Sequence, residues 1–136
     1  MSTLSIANAD RAGLMGPQHV AQLGSIVTLQ VQVVAATGAA ETLDTAAYTV
    51  FDLTLDDDCT LTIGAPASGI MVRQVLLYLR QDGSGGHTIT YPGTVLWPGG
   101  SDHALTPAAS ALDAVSLLTI DGGTNWIGTV VGQGFA

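Results

Sequence analysis

Residues 71–97 have the sequence MVRQVLLYLRQDGSGGHTITYPGTVLW, and this stretch decides the predicted fold. Apolar residues recur at every second position from 75 to 79, and a period of two places them on one face of a β-strand. Glycines at 83, 85 and 86 then let the chain reverse, because glycine reaches positive φ at little steric cost. Residues 87–91 are again β-prone, and Pro92 ends them. The stretch therefore predicts a β-hairpin.

The rest of the chain predicts further strands that are separated by turn signals. These strands cover residues 26–36, 41–44, 49–55, 59–63, 114–120 and 126–131. Short strands at roughly even spacing are typical of all-β sandwiches and barrels. We therefore expect an all-β fold in which residues 25–136 form a single antiparallel β-sandwich, jelly-roll-like, of about eight strands. The segment 114–120 is apolar on both faces, so we place it in the centre of a sheet.

Residues 1–24 are predicted to form a short arm and a helix. Pro17 suits the first turn of a helix, and Gly24 suits the position just past its end. One apolar stripe would be formed by Leu14, Met15, Val20 and Leu23. A helix of about two turns is not stable alone in water, so it is expected to attach the protein or to lock subunits together.

The charge balance excludes two kinds of partner. Three cationic residues, all arginine, stand against eleven acidic residues, which gives a net charge of −8. Such a chain has no basic face for phosphates, so neither nucleic acid nor an anionic membrane is expected as a partner. No apolar run reaches the ~18 residues of a membrane helix, and the N-terminus has no secretory signal. We therefore expect synthesis and assembly in a cytoplasm.

The motifs of catalytic and metal sites are not found in the sequence. Cys59 is the single cysteine, which excludes an internal disulfide and a cysteine-rich metal site. The three acids at 56–58 lack the alternating spacing of a calcium loop and are interpreted as an acidic turn. His19, His87 and His103 have no metal-ligand spacing, and only copies of His87 or His103 meeting on a threefold axis would hold an ion. We expect no cofactor, no metal and no enzymatic activity.

Aromatic residues provide the candidate contact site. Flat aromatic faces can stack on sugar rings, whereas the alternative role of large aromatics in a small β domain is core packing. Trp97 precedes a Pro-Gly-Gly loop and is therefore the better candidate for a contact, with Tyr91 and His103 as further candidates. Trp126 follows a turn and is expected to pack in the core.

Several segments resemble modules of tailed-bacteriophage structural proteins. The segment AGLM at 12–15, followed by Leu23-Gly24, resembles a short element that precedes β domains in phage tail-fibre and baseplate-associated proteins. Five more segments occur in the order found in a β domain of phage fibre, spike and head-fibre proteins. They are FDLTL (51–55), CTLT (59–62), LRQDGSGGHTITYP (79–92), WPGG (97–100) and DGGTNW (121–126).

This resemblance implies a virion structural protein without catalytic chemistry. It implies a homotrimer that is displayed as a surface fibre or spike and that contacts other virion proteins of the capsid or tail. One alternative is a capsid decoration protein, of the cement or head-fibre type, that stabilises the shell. A second alternative is a receptor- or glycan-binding tip that contacts a host surface glycan, and a third, which we do not expect, is a small sugar-active enzyme.

Overall fold

The structure is a computed structural model that describes residues 30–136. This part of the chain contains nine strands and one short 3₁₀ turn at Pro98–Gly100, which confirms the predicted all-β class. The strands are β1 (Val31–Val34), β2 (Ala40–Leu43), β3 (Val50–Leu55), β4 (Cys59–Ile63), β5 (Arg73–Gln81), β6 (Ile89–Thr90), β7 (Val95–Leu96), β8 (Leu112–Thr119) and β9 (Trp126–Phe135).

The strands form two sheets, and most of their pairs are parallel. One sheet has six strands in the order β1-β3-β5-β8-β9-β7, and the other has three in the order β2-β4-β6. From β1 to β6 the chain alternates between the sheets, and each strand pairs in parallel with the strand two positions later. Antiparallel pairing joins only β5 to β8 and β8 to β9 among the described strands. The predicted antiparallel order is therefore wrong, because the first six strands follow the topology of a short parallel β-solenoid.

The hairpin predicted at 71–97 is also wrong. Strand β5 belongs to the six-stranded sheet and β6 to the three-stranded sheet, so the glycine-rich segment is a corner between sheets. Asp82 shapes this corner, since its Oδ1 accepts the N–H groups of Ser84 at 2.8 Å and Gly85 at 2.9 Å. Gly86 then donates its N–H to the carbonyl of Pro107 at 2.8 Å, which directs the chain away from β5.

The acidic turn at 56–58 is a second corner, between β3 and β4. Asp56 Oδ1 accepts the Gly38 N–H at 2.8 Å, from the corner between β1 and β2. Asp58 Oδ1 accepts the Thr88 N–H at 2.8 Å, from the corner between β5 and β6. This hydrogen bond lowers the pKa of the Asp58 carboxyl. Two of the three carboxylates therefore join neighbouring turns of the solenoid.

The two sheets share one apolar core. Its largest part comes from alternate positions of β3, β5 and β8, as the period of two predicts for β3 and β5. The core residues of these three strands are Phe51, Leu53, Leu55, Val75, Leu77, Leu79, Val115 and Leu117. The smaller sheet adds Leu43, Cys59 and Leu61. Strand β8 lies between β5 and β9, so its predicted central position is confirmed.

The turn at 121–125 connects β8 and β9 as a true hairpin. Asp121 Oδ1 accepts the Asn125 N–H at 2.9 Å and the Thr119 hydroxyl at 2.8 Å, which closes the turn. Trp126 begins β9 with 1% of its surface exposed, so the predicted packing role of this tryptophan is confirmed.

The predicted N-terminal arm and helix, with Leu14, Met15, Val20 and Leu23, lie outside the described residues, as does the start of the strand predicted at 26–36. Within residues 30–136, no helix has both the length and the apolar character needed to cross a bilayer.

Candidate functional site

The structure brings the three predicted contact residues, Trp97, Tyr91 and His103, into one cluster. The ring centroids of Tyr91 and Trp97 are 4.8 Å apart, and that of His103 lies 6.2 Å from Trp97. All three side chains are buried, with 5–8% of their surface exposed. Tyr91 and Trp97 pack edge to face at an interplanar angle of 62°, which is the core-packing alternative rather than the open stacking surface. Contact of this cluster with a glycan or a protein partner stays a prediction.

Trp97 is fixed by a glycine on the neighbouring strand. A Cβ atom on Gly128 of β9 would lie 2.7 Å from ring carbons of Trp97, so the indole rests directly on the β9 backbone. The indole Nε1 is buried and has no hydrogen-bond partner among the described residues. Trp97 thus belongs to the core, although it lies just beyond the two-residue strand β7.

A buried hydrogen-bond chain continues from this cluster. His103 Nε2 lies 2.9 Å from Asp113 Oδ2, and His103 Nδ1 lies 2.8 Å from the Tyr91 hydroxyl oxygen. A carboxylate only accepts, so His103 donates through Nε2, and its Nδ1 shares the second hydrogen bond with the Tyr91 hydroxyl. Burial, with the nearby Asp113 charge, raises the pKa of Tyr91 far above its usual value, so the hydroxyl keeps its proton.

Asp113 accepts most of the hydrogen bonds in this network, and the sequence analysis did not identify it as a candidate site residue. Besides His103, it accepts the backbone N–H groups of Thr106 at 2.9 Å and Gly134 at 2.8 Å. Burial raises the pKa of the Asp113 carboxyl, but these hydrogen bonds outweigh burial and leave the pKa below its usual value. The available signal was a single acid within the apolar segment LDAVSLLT. Such an acid indicates a buried carboxylate, which requires several hydrogen-bond donors around it.

An open cleft of about 640 Å³ lies outside the cluster. Its lining includes Trp97, Ser101, Asp102, His103, Thr129 and Gln133. Hydroxyl, carboxylate and amide groups here can hydrogen-bond a polar ligand. Both ring nitrogens of His103 are hydrogen-bonded within the protein, one to Asp113 and the other to Tyr91. Over residues 30–136, no group of three or more metal-ligating side chains is positioned to hold a metal ion.

A second surface is the side of the six-stranded sheet that faces away from the core, here called the outer face. All six strands contribute apolar side chains to it: Val31 and Val33 (β1), Val50 (β3), Leu76 and Tyr78 (β5), Leu96 (β7), Leu112, Ala114 and Leu118 (β8), and Ile127, Val131 and Phe135 (β9). Several are well exposed, with Val33 at 69%, Val131 at 62% and Phe135 at 51%. An apolar groove of about 350 Å³ runs between Leu76, Tyr78, Val131 and Phe135.

Charged groups on the outer face neutralise each other. Arg80 Nε lies 2.6 Å from Asp52 Oδ1, and a second guanidinium nitrogen lies 3.3 Å from Oδ2. The Asp52 carboxylate raises the pKa of the Arg80 guanidinium, which keeps its charge. Gln74 and Ser116 add one polar pair, with Nε2 donating to Oγ at 3.2 Å. The charges of Arg80 and Asp52 therefore cancel, and the outer face is mainly apolar.

Comparison with known families identifies the kind of protein that carries this domain. The family model described as "Putative phage tail fibre C-terminal domain" matches residues 28–125, and the chain belongs to this family. The protein is therefore a structural component of a phage virion, as its resemblance to phage fibre proteins predicted. The AGLM segment at 12–15 lies outside the matched residues. No curated protein and no solved structure matches the chain.

Proposed function

We propose that the protein is a non-catalytic, homotrimeric fibre component displayed on the surface of the phage particle. Its membership of the tail-fibre family, over residues 28–125, carries the proposal. The family match also favours the tail over the capsid-decoration alternative. Three copies are what the resemblance to trimeric fibre and spike proteins implies.

The hydrogen bonding of the titratable side chains supports a structural role. A general acid or base needs a proton-transfer position that is open to the substrate. In the described residues the most enclosed pair, His103 and Asp113, has its polar atoms committed to internal partners. His87 and Asp82 likewise bond each other, 3.1 Å apart, at the corner after β5. These groups hold the fold together.

Two measurements test this function. The full chain should have a mass in solution of three times 13.8 kDa by light scattering. A mass of one chain would contradict the trimer. Immunogold labelling of intact particles should mark the tail, whereas label confined to the head would favour the decoration alternative.

The cleft beside Trp97 favours a second candidate, a tip that binds a host surface glycan. Its size and its mixture of polar groups and an aromatic edge suit a neutral sugar. Trp97 is a poor test residue, because truncating a buried indole also disturbs packing. Asp102 is exposed and lines the cleft, so Asp102→Ala should weaken binding to host envelope glycan by about tenfold.

The matched control for this test is Asp57→Ala, which removes an exposed acid that does not line the cleft. Unchanged glycan affinity in Asp102→Ala, or an equal loss in both variants, would contradict the cleft as the binding site. The same preparations should release no reducing sugar, and release would support the enzyme alternative.

A further inference from the structure

We propose that copies of this chain pack against one another through the outer face of the six-stranded sheet. The inference rests on the proposed self-assembly and names the surface that performs it. The occupant is a second copy, and its contact residues are centred on Leu76, Tyr78, Val131 and Phe135.

The composition of the outer face is unusual for a surface in contact with water. A sheet with one solvated face normally alternates apolar side chains toward the core with polar ones toward solvent. Here β5 and β9 place apolar residues on both sides, so that Leu76 lies outward between the buried Val75 and Leu77. Contiguous exposed apolar surface of this kind marks an interaction site.

The distribution of charge favours a copy of the same chain as the partner. Two chains of net charge −8 repel each other wherever their carboxylates face. The acids at 56–58, Asp82, Asp102 and Asp121 lie in connections between strands. On the outer face, by contrast, the charges of Arg80 and Asp52 cancel. Identical chains can therefore approach through this face without opposing like charges.

The dimensions of the face also suit a second copy. Six strands about 4.8 Å apart, with about 6 residues each at about 3.3 Å per residue, cover roughly 600 Å² in plan, before side-chain relief is added. A standard protein interface takes about 800 Å² from each partner. The stripe predicted in residues 1–24 has only four apolar side chains, so it offers less complementary surface than another sheet. A face turned toward a threefold axis meets both neighbouring copies at once.

Val131→Glu in the full chain tests the inference. Val131 is 62% exposed, so the fold of the single chain does not depend on burying it. A carboxylate at the centre of the apolar contact should reduce the mass in solution threefold, from three chains to one, because it would be buried without a partner. The matched control is Thr60→Glu, which adds the same charge to an exposed position of β4 in the smaller sheet. The control should keep the mass of three chains.

The outcomes separate the interface from the trimer itself. A single-chain mass in the unchanged protein overturns the proposed homotrimer. A trimer in the unchanged protein that survives Val131→Glu overturns the interface but not the trimer, as expected if residues 1–29 or another virion protein cover the face. Near-ultraviolet circular dichroism of the buried Trp97 and Trp126 reports the fold of each variant. If Val131→Glu is unfolded, Val131→Ser should dissociate at a protein concentration at least tenfold higher than the unchanged chain, and unchanged dissociation overturns the interface.

Discussion

The Gln81 carboxamide binds both backbone groups of His87. Its Nε2 donates to the His87 carbonyl oxygen at 2.7 Å, and its Oε1 accepts the His87 N–H at 3.1 Å. The same Nε2 also donates to the carbonyl of Thr106 at 3.1 Å. The buried Gln81 side chain thus satisfies backbone groups that would otherwise need a neighbouring strand, at the point where β5 ends and the chain changes sheets.

Removing this carboxamide should destabilise the domain. Gln81→Ala leaves the His87 N–H and two carbonyl groups without a partner, so we expect the free energy of unfolding to fall by about 2–3 kcal/mol. Urea unfolding followed by tryptophan fluorescence measures it. Gln74→Ala, at an exposed position of the same strand, should change stability by less than about 0.5 kcal/mol. Equal effects in the two variants would contradict the role assigned to Gln81.

Gly85 should tolerate no side chain. Its φ is +69°, and a Cβ atom would lie 2.7 Å from both Ala109 N and the Pro107 carbonyl oxygen, which are backbone atoms that cannot rotate away. Gly85→Ala should therefore cost about 2 kcal/mol of stability, measured by thermal and urea unfolding. Gly83→Ala is the matched control in the same corner, because no atom lies within 4 Å of its Cβ position. A loss of stability in Gly83→Ala as large as that in Gly85→Ala would refute this explanation.

Among the acidic residues, Asp113 should reduce the free energy of unfolding most when it is replaced. Asp113→Ala leaves His103 Nε2 and the N–H groups of Thr106 and Gly134 without their acceptor, and we expect a loss of about 3 kcal/mol. Asp102→Ala, an exposed acid beside His103, should be nearly neutral in the same urea unfolding experiment. The assignment fails if Asp113→Ala is as stable as the Asp102 variant.

The domain should lose stability in acid, below about pH 4. Backbone N–H donors lower the pKa of Asp58, Asp82 and Asp121 from the usual 3.8, and the hydrogen bonds to Asp113 have the same net effect. A carboxyl with a lowered pKa in the folded state stabilises the fold above its unfolded pKa, and this contribution disappears as the pH falls through the folded value. Urea midpoints should therefore agree at pH 7 and pH 5 and fall by pH 3. A midpoint that is unchanged at pH 3 would contradict the shifts.

The sequence predicted the strands but not their partners. The period of two identified the inward residues of β3 and β5, because alternation depends only on the geometry of a single strand. It does not distinguish a hairpin from a corner, since a glycine-rich turn permits both. The corner is fixed by the contacts of Gln81 and Asp82 with residues further along the chain, and these become apparent only in the folded structure.

The sequence named Trp97, Tyr91 and His103 as candidate contacts but did not predict that they are buried. Trp97, Tyr91 and His103 do lie together, but their burial follows from the bare backbone of Gly128 and the carboxylate of Asp113. Gly128 and Asp113 are both far from Trp97 in the sequence, so the sequence around Trp97 did not indicate its burial. The outer face was likewise missed, because a segment such as RQVLLYLRQ, apolar on both sides of a strand, predicts double burial and gives no sign of which chain covers the second side.

The carboxylates of Asp56 and Asp58 limit how this corner can change in evolution. Each accepts an N–H from a different neighbouring corner, so an inserted residue would separate one or both contacts and shift the register of the adjoining turns. Length variation among related fibre domains should therefore be concentrated in other connections, such as the segment between β7 and β8. The corner between β3 and β4 is therefore expected to keep a fixed length, because both of its contacts depend on it.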